Sequence, residues 1–236
     1  MKEIIKILLL LLTFNLNAQA YNISQIAYAP KPLTGTLVVA TDDNVYGPFN
    51  IGFTFCFWGN QYTKFYIGTN GWVGFSSGQS PSFTSFMIPS VAANVPKNCI
   101  MGPWYDLHPG IPGNPATPMQ YIYYQLYGIA PNRYVVISWN NSPLFFCTNL
   151  RGTQQIVLYE NGKIENSIIE KPLCTAWAGG TATQGLHNIN GTQALTVTGR
   201  NSTQWTILPV SPETWEYSPN YPIFVPCCPT TTLKSN

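Results

Sequence analysis

The chain has 236 residues, only 8% of them charged and 14% aromatic, with a formal net charge of +2. So even a balance leaves no basic stripe to hold a phosphate backbone, which argues against nucleic-acid binding. Twenty Pro and nineteen Gly break up long helices, and the aromatic and β-branched content argues against disorder.

The first twenty residues, "MKEIIKILLLLLTFNLNAQA", have the form of a signal peptide. Lys2 and Lys6 precede a short apolar run at 7–14, and Ala18-Gln19-Ala20 supplies the small residues of a cleavage site. The run is too short for a bilayer, which needs roughly 20 apolar residues. Cleavage after Ala20 is expected, with Ala18 the alternative. No second apolar span of membrane length follows, so a secreted or cell-surface protein without a transmembrane span is expected. The remaining chain divides into one domain over 21–218 and a Pro/Cys/Thr-rich tail over 219–236.

Runs bounded by turn residues predict strands at 33–41, 49–58, 62–68, 71–77, 99–105, 119–127, 133–139, 153–160, 163–170, 182–187 and 204–208. With no helical periodicity beyond the leader, they imply an all-β fold, an antiparallel β-sandwich of roughly ten strands. After the first strand, Asp42-Asp43 stands in "TDDN", where a turn explains both acids. The same pair offers oxygen ligands to calcium. No EF-hand pattern supports that cofactor, and no other is indicated.

In "FTFCFWGNQYTKFYIGTNGWVGFSS", Gly59-Asn60 and Asn70-Gly71 punctuate a three-strand meander. Phe53, Phe55 and Phe57 share one face and suit the interior of a sandwich; Thr54, Cys56 and Trp58 share the other. The strand at 99–105 runs into "MGPWYDLHPG", where Asp106 and His108 fall on one side of an extended chain. Acid–base chemistry or metal capture is open to them, and so is the plainer role of an acid capping a loop beside an exposed histidine.

Asn161-Gly162, between two β-prone runs, signals a hairpin. A two-residue turn pairs Glu160 with Lys163 and Tyr159 with Ile164, and brings Cys174 opposite Asn149. Cys147 is then about 7 Å away diagonally, and Pro172 must disturb the ladder there. Behind a signal peptide, six cysteines read first as disulfides. We therefore expect Cys147–Cys174, and by elimination Cys56–Cys99, with Cys227 and Cys228 in the tail. No CxxC or His-rich spacing suggests zinc. His187, alone in "GLHNING", satisfies a turn on this reading.

"FNIGFTFCFWGNQYTKFYIGTNGWVGFSS", "CIMGPWYDL", "GTQQIVLYENGKIE" and "TQGLHNINGT" together resemble nidogen-like extracellular domains. With "KPLCTAWAGG" and "GRNSTQW", the order is also similar to a module of large secreted proteins in gliding Bacteroidota, often exported by type IX secretion. The resemblance covers roughly 48–218. It implies an exported surface module for adhesion, normally followed by further repeats and a sorting domain. Neither stands before Asn236, so the chain reads as released, truncated or a fragment.

Glycan hydrolysis needs two carboxylates across a cleft, and acids are few here. No Gly-x-Ser-x-Gly elbow and no phosphate-cradling loop is present. Seven Trp and fourteen Tyr are more than a small core is expected to hide, so some rings should reach the surface. Trp177, flanked by small residues in "CTAWAGGTATQG", and Trp72 are candidate binding residues, with Asp106 and His108. The sequence thus favours a non-catalytic module for surface glycans or extracellular proteins. The alternative is a glycan-active or metal-dependent hydrolase centred on Asp106 and His108.

Overall fold

A computed structural model describes residues 21–110 and 121–220. The leader at 1–20 and the Cys227–Cys228 tail lie outside the described residues. Among these, fourteen strands succeed one another: β1 (Tyr21–Ile26), β2 (Thr36–Val38), β3 (Val45–Phe57), β4 (Asn60–Gly68), β5 (Trp72–Gly74), β6 (Cys99–Trp104) and β7 (Ile122–Tyr127). There follow β8 (Tyr134–Pro143), β9 (Arg151–Tyr159), β10 (Ile164–Glu170), β11 (Thr181–His187), β12 (Ala194–Thr196), β13 (Thr203–Gln204) and β14 (Glu213–Pro219). One 3-10 turn, Ala178–Gly180, precedes β11.

The strands form two antiparallel sheets. The first has the order β1-β14-β10-β9-β8-β7-β2, and the second β12-β11-β6-β5-β4-β3, with β13 beside β11. The fold is the expected β-sandwich. Phe53, Phe55 and Phe57 point into the shared core, joined by Ile67, Val73, Ile137, Trp139, Ile156 and Leu158. Alternation along β3 gives this result, since Thr54 between the rings is exposed.

Three strands escaped the sequence reading, each for a physical reason. β1 (YNISQI) is polar because it is an edge strand, paired only with β14. β14 carries Glu213, an unusual residue for a buried strand position, and Arg200 takes up its charge through both carboxylate oxygens. β12 has only three residues. The run predicted at 204–208 ends as strand at Gln204; Ile207 makes an isolated bridge to Lys171.

The β9–β10 hairpin is one residue out of the expected register. Ile164 faces Leu158, not Tyr159, and Tyr159 N–H donates to Lys163 O. Gly162 sits at φ 86°, so the loop holds three residues and closes with a left-handed glycine. Glu160 therefore turns to Arg133, whose Nε lies 2.9 Å away, while Lys163 meets Glu165 and Glu216. Cys147 and Cys174 are nevertheless bonded, with Cα atoms 6.0 Å apart.

The expected Cys56–Cys99 bridge does not form, and both side chains are buried. Cys56 lies on β3 and Cys99 on β6, with β4 and β5 between them. Three strand spacings of ~4.8 Å put them about 14 Å apart, twice the reach of a disulfide.

Side-chain amides tie the two sheets together. Gln154 Nε2 donates to Pro103 O at 2.9 Å, and Asn166 Nδ2 donates to Gly102 O at 3.0 Å. Trp139 Nε1 donates to Thr69 O at 3.1 Å. These bonds, all buried, satisfy carbonyls that the sheet ladders leave over, and a buried unpaired carbonyl costs about 1–3 kcal/mol. They also fix the Thr69–Gly71 turn, from which the site described next is built.

Candidate functional site

Gly71 occupies φ 90°, and a Cβ there would lie 2.1 Å from Pro103 O, so only glycine fits. The turn this permits presents Asn70 as a two-sided clamp. Asn70 Oδ1 accepts from Leu107 N–H at 2.9 Å, and its Nδ2 donates to Asp43 Oδ1 at 2.8 Å. Thr69 and Asn44 exchange backbone and side-chain bonds beside it, at 3.0 Å and 2.9 Å. The Asp42-Asp43 loop is thus fastened to the segment that follows β6, though 63 positions separate Asp43 from Asp106 in the numbering.

The result is a cluster of three carboxylates. Asp42, Asp43 and Asp106 each bring one oxygen within 4.8 Å of the others. Asp43 stands at φ 44°, in the left-handed region that Asp and Asn tolerate. Burial raises its carboxyl above the ordinary value, against the Asn70 bond, with the Asp42 charge adding and His108 opposing. Asp106 is 8% exposed. Burial pushes its carboxyl up to about 8; the bond from Trp177 opposes the rise, and the charges of Asp43 and Asp42 add to it.

Each carboxylate has one oxygen engaged. Trp177 Nε1 donates to Asp106 Oδ2 at 2.5 Å. His108 Nδ1 lies 2.6 Å from Asp42 Oδ2, close enough to pair but outside hydrogen-bond geometry. Asn70 holds Asp43 Oδ1. The second oxygens of Asp42 and Asp106, both named Oδ1, are closed off from solvent and have no hydrogen-bond partner among the described residues.

Asp106 and His108 are therefore neighbours without forming a dyad: no hydrogen bond or ion pair joins them among the described residues. Nor does Asp106 cap its loop through its carboxylate, since Asn70 takes the Leu107 amide.

Trp177 joins the cluster to an aromatic rim. Its ring stacks on Phe146 at 6.0 Å and 20°, and meets Phe145 at 4.7 Å and Phe83 at 6.2 Å. Phe146 is 66% exposed and Phe83 44%. The Cys147–Cys174 bridge pins the two loops that carry Phe145, Phe146 and Trp177, so Trp177 folds over the edge of the sandwich and still faces outward in part. Next to Asp43 a cleft of about 300 Å³ opens between Ser80, Pro81, Ser82, Phe83, Thr84, Phe86 and Asn94.

Trp72 is corrected by the structure. It is fully buried, on an inner strand of its sheet, packed with Ile88, Val95, Cys99, Met101 and Trp104 beneath the 75–98 segment. No part of its ring is open to solvent. Trp104 and Trp139 are fully buried too, and the other four tryptophans are half-buried, so the fold hides more indole than the sequence suggested. Phe83, Phe145, Phe146 and Asn70 were missed. "LFFC" carried a signal for two of them, adjacent rings flanking a cysteine already assigned to a bridge.

The chain is an all-β double sheet that carries an aromatic rim beside an acidic cluster, and among the described residues no helix is long and apolar enough to cross a membrane. The family model described as NIDO related matches residues 20–219, and the chain belongs to that family of extracellular-type domains. No curated protein and no solved structure matches it.

Proposed function

We propose that the domain is an exported, non-catalytic adhesion module that binds a surface glycan at the rim formed by Trp177, Phe146 and Phe83. The observation that carries this reading is the exposure of Phe146 and Phe83 against Trp177, beside a cleft bordered by Asp43. Flat apolar rings next to carboxylate acceptors match the two faces of a sugar, its C–H surface and its hydroxyl edge. A protein partner would use the same aromatics as anchors. The family supports an extracellular setting. The resemblance of the sequence itself to modules of gliding bacteria motivates a role in a gliding or adhesin system.

The deciding measurement is a glycan array followed by calorimetry on the best hit. Phe146→Ala and Phe83→Ala are expected to lower affinity about tenfold each, since truncating an aromatic anchor of a binding surface typically costs more than about 1 kcal/mol. An array blank for every glycan, or affinity unmoved by both variants, overturns the glycan reading. Capture of an extracellular protein that both variants abolish would replace it with a protein ligand.

A further inference from the structure

The geometry points to a divalent-cation site at Asp42, Asp43 and Asp106, built for calcium. It does not depend on the glycan reading, since its evidence lies in the carboxylates alone.

An acidic cluster on a surface is ordinary; this one has two features that surface clusters lack. The first is the pair of Oδ1 oxygens on Asp42 and Asp106, shut off from water and unpartnered among the described residues. Asp106 is more than nine-tenths buried. A buried carboxylate oxygen without a donor is costly, and a cation removes that cost by supplying the missing charge. The second is the set of anchors. Trp177, Asn70 and the His108 imidazole each engage one oxygen of a different acid, so the carboxylates are held in place by partners outside the cluster. Metal sites orient their ligands in this way.

Oxygens within 4.8 Å of one another can share one cation. Calcium accepts six to eight oxygens in an irregular shell, whereas magnesium demands a near-ideal octahedron, so carboxylates held by their own separate partners suit calcium better. All three ligands are oxygens, the donor type that hard cations take. Three carboxylates leave a calcium shell of six to eight incomplete, and the cleft beside Asp43 gives an entry path and room for waters to fill it. The acids come from the loop before β3 and the segment after β6, so a bound ion would cross-link the two segments that Asn70 already joins.

The test is made on the mature chain freed of metal with a chelator and titrated with calcium chloride, magnesium chloride and terbium chloride. One calcium per chain is expected, with a Kd in the range of about 10⁻⁴–10⁻³ M typical of extracellular modules. Calcium at about 100 times Kd should raise Tm by roughly 5–10 °C. Terbium should give emission excited through tryptophan, because the Trp177 indole bonds directly to Asp106; Trp177→Phe should reduce that emission while calcium still binds. Asp43→Asn, which keeps a residue suited to the left-handed backbone, is expected to weaken binding at least tenfold with the fold intact. Asp106→Asn should abolish it, with circular dichroism reporting on folding. No heat and no Tm shift up to about 10 mM calcium, or binding unchanged by Asp43→Asn, overturns the site. Calcium binding without glycan binding would leave this inference standing and remove only the other.

Discussion

Trp177 and Asp106, 71 positions apart, meet through a single 2.5 Å hydrogen bond from indole to carboxylate. That bond connects the aromatic rim to the acidic cluster, and it places the 174–181 loop against the segment after β6. Replacing Trp177 by Phe keeps a ring against Phe145 but leaves Asp106 with neither oxygen paired. Loss of one bond to a buried polar group costs roughly 1–3 kcal/mol. Urea unfolding should therefore show a lower midpoint at unchanged slope; an unchanged midpoint would mean the bond contributes nothing.

The Cys147–Cys174 bridge closes a loop with a sequence separation of 27. Chain-entropy arguments assign such a loop roughly 3–4 kcal/mol. The double Cys147→Ser, Cys174→Ser variant is expected to lose about that much, and with it the fixed placement of Phe146 and Trp177. Cys56 and Cys99 should resist thiol reagents in the native state. Burial holds the Cys99 thiol far above its ordinary value, with Lys97 opposing only weakly, and the thiolate is the reactive form. Rapid native labelling at Cys56 or Cys99, located by peptide mass spectrometry so that the tail cysteines are told apart, would contradict this arrangement.

The sequence made some of this legible and hid the rest for reasons of topology. Alternation placed Phe53, Phe55 and Phe57 inside, because period two is a local property of a strand. The Asn161-Gly162 hairpin was visible, but not its three-residue loop, since the register depends on whether Gly162 takes the left-handed conformation. Cys56–Cys99 failed because elimination says nothing of sheet order, and two strands intervene. Asp106 and His108 stand out locally as an acid and an imidazole two residues apart, yet their partners Trp177 and Asp42 come from distant loops. Convergence of Asp43 with Asp106 depends on Asn70, a residue that reads locally only as a turn signal.

Gly68 is the tightest backbone position beside Trp72. A Cβ added there would lie 2.0 Å from the buried indole, which belongs to a fully packed cluster and has nowhere to go. Gly68→Ala should destabilise by roughly 1–3 kcal/mol or more. The double variant with Trp72→Leu should fall short of the sum of the single costs, because the shortened side chain vacates the space the methyl needs. Additive costs in a double-mutant cycle would show that the two positions do not share that space.

His187 makes the sandwich sensitive to mild acid. It is fully buried, with Nδ1 2.7 Å from Pro96 O and Nε2 accepting from Ser90 N–H at 3.2 Å. A carbonyl only accepts and an amide only donates, so the ring is neutral with its proton on Nδ1. Burial lowers its pKa below the ordinary 6.5; hydrogen bonds to the backbone at Pro96 and Gly191 oppose this, and the Lys97 charge adds. The sign follows from linkage. The unfolded chain takes up the proton near 6.5 while the folded chain resists it, so protons stabilise the unfolded state as pH falls. The contribution of His187 is whole above pH 6.5 and is lost progressively below it, down through the lowered folded value. His187→Gln should be less stable than the parent by roughly 1–3 kcal/mol at pH 8, having lost a bond on each side of the ring. Between pH 6.5 and 5 the gap between the two proteins should narrow, since only the parent carries this titration, and every other group cancels in the difference. A gap constant across that window would mean that His187 titrates alike in the folded and unfolded chains.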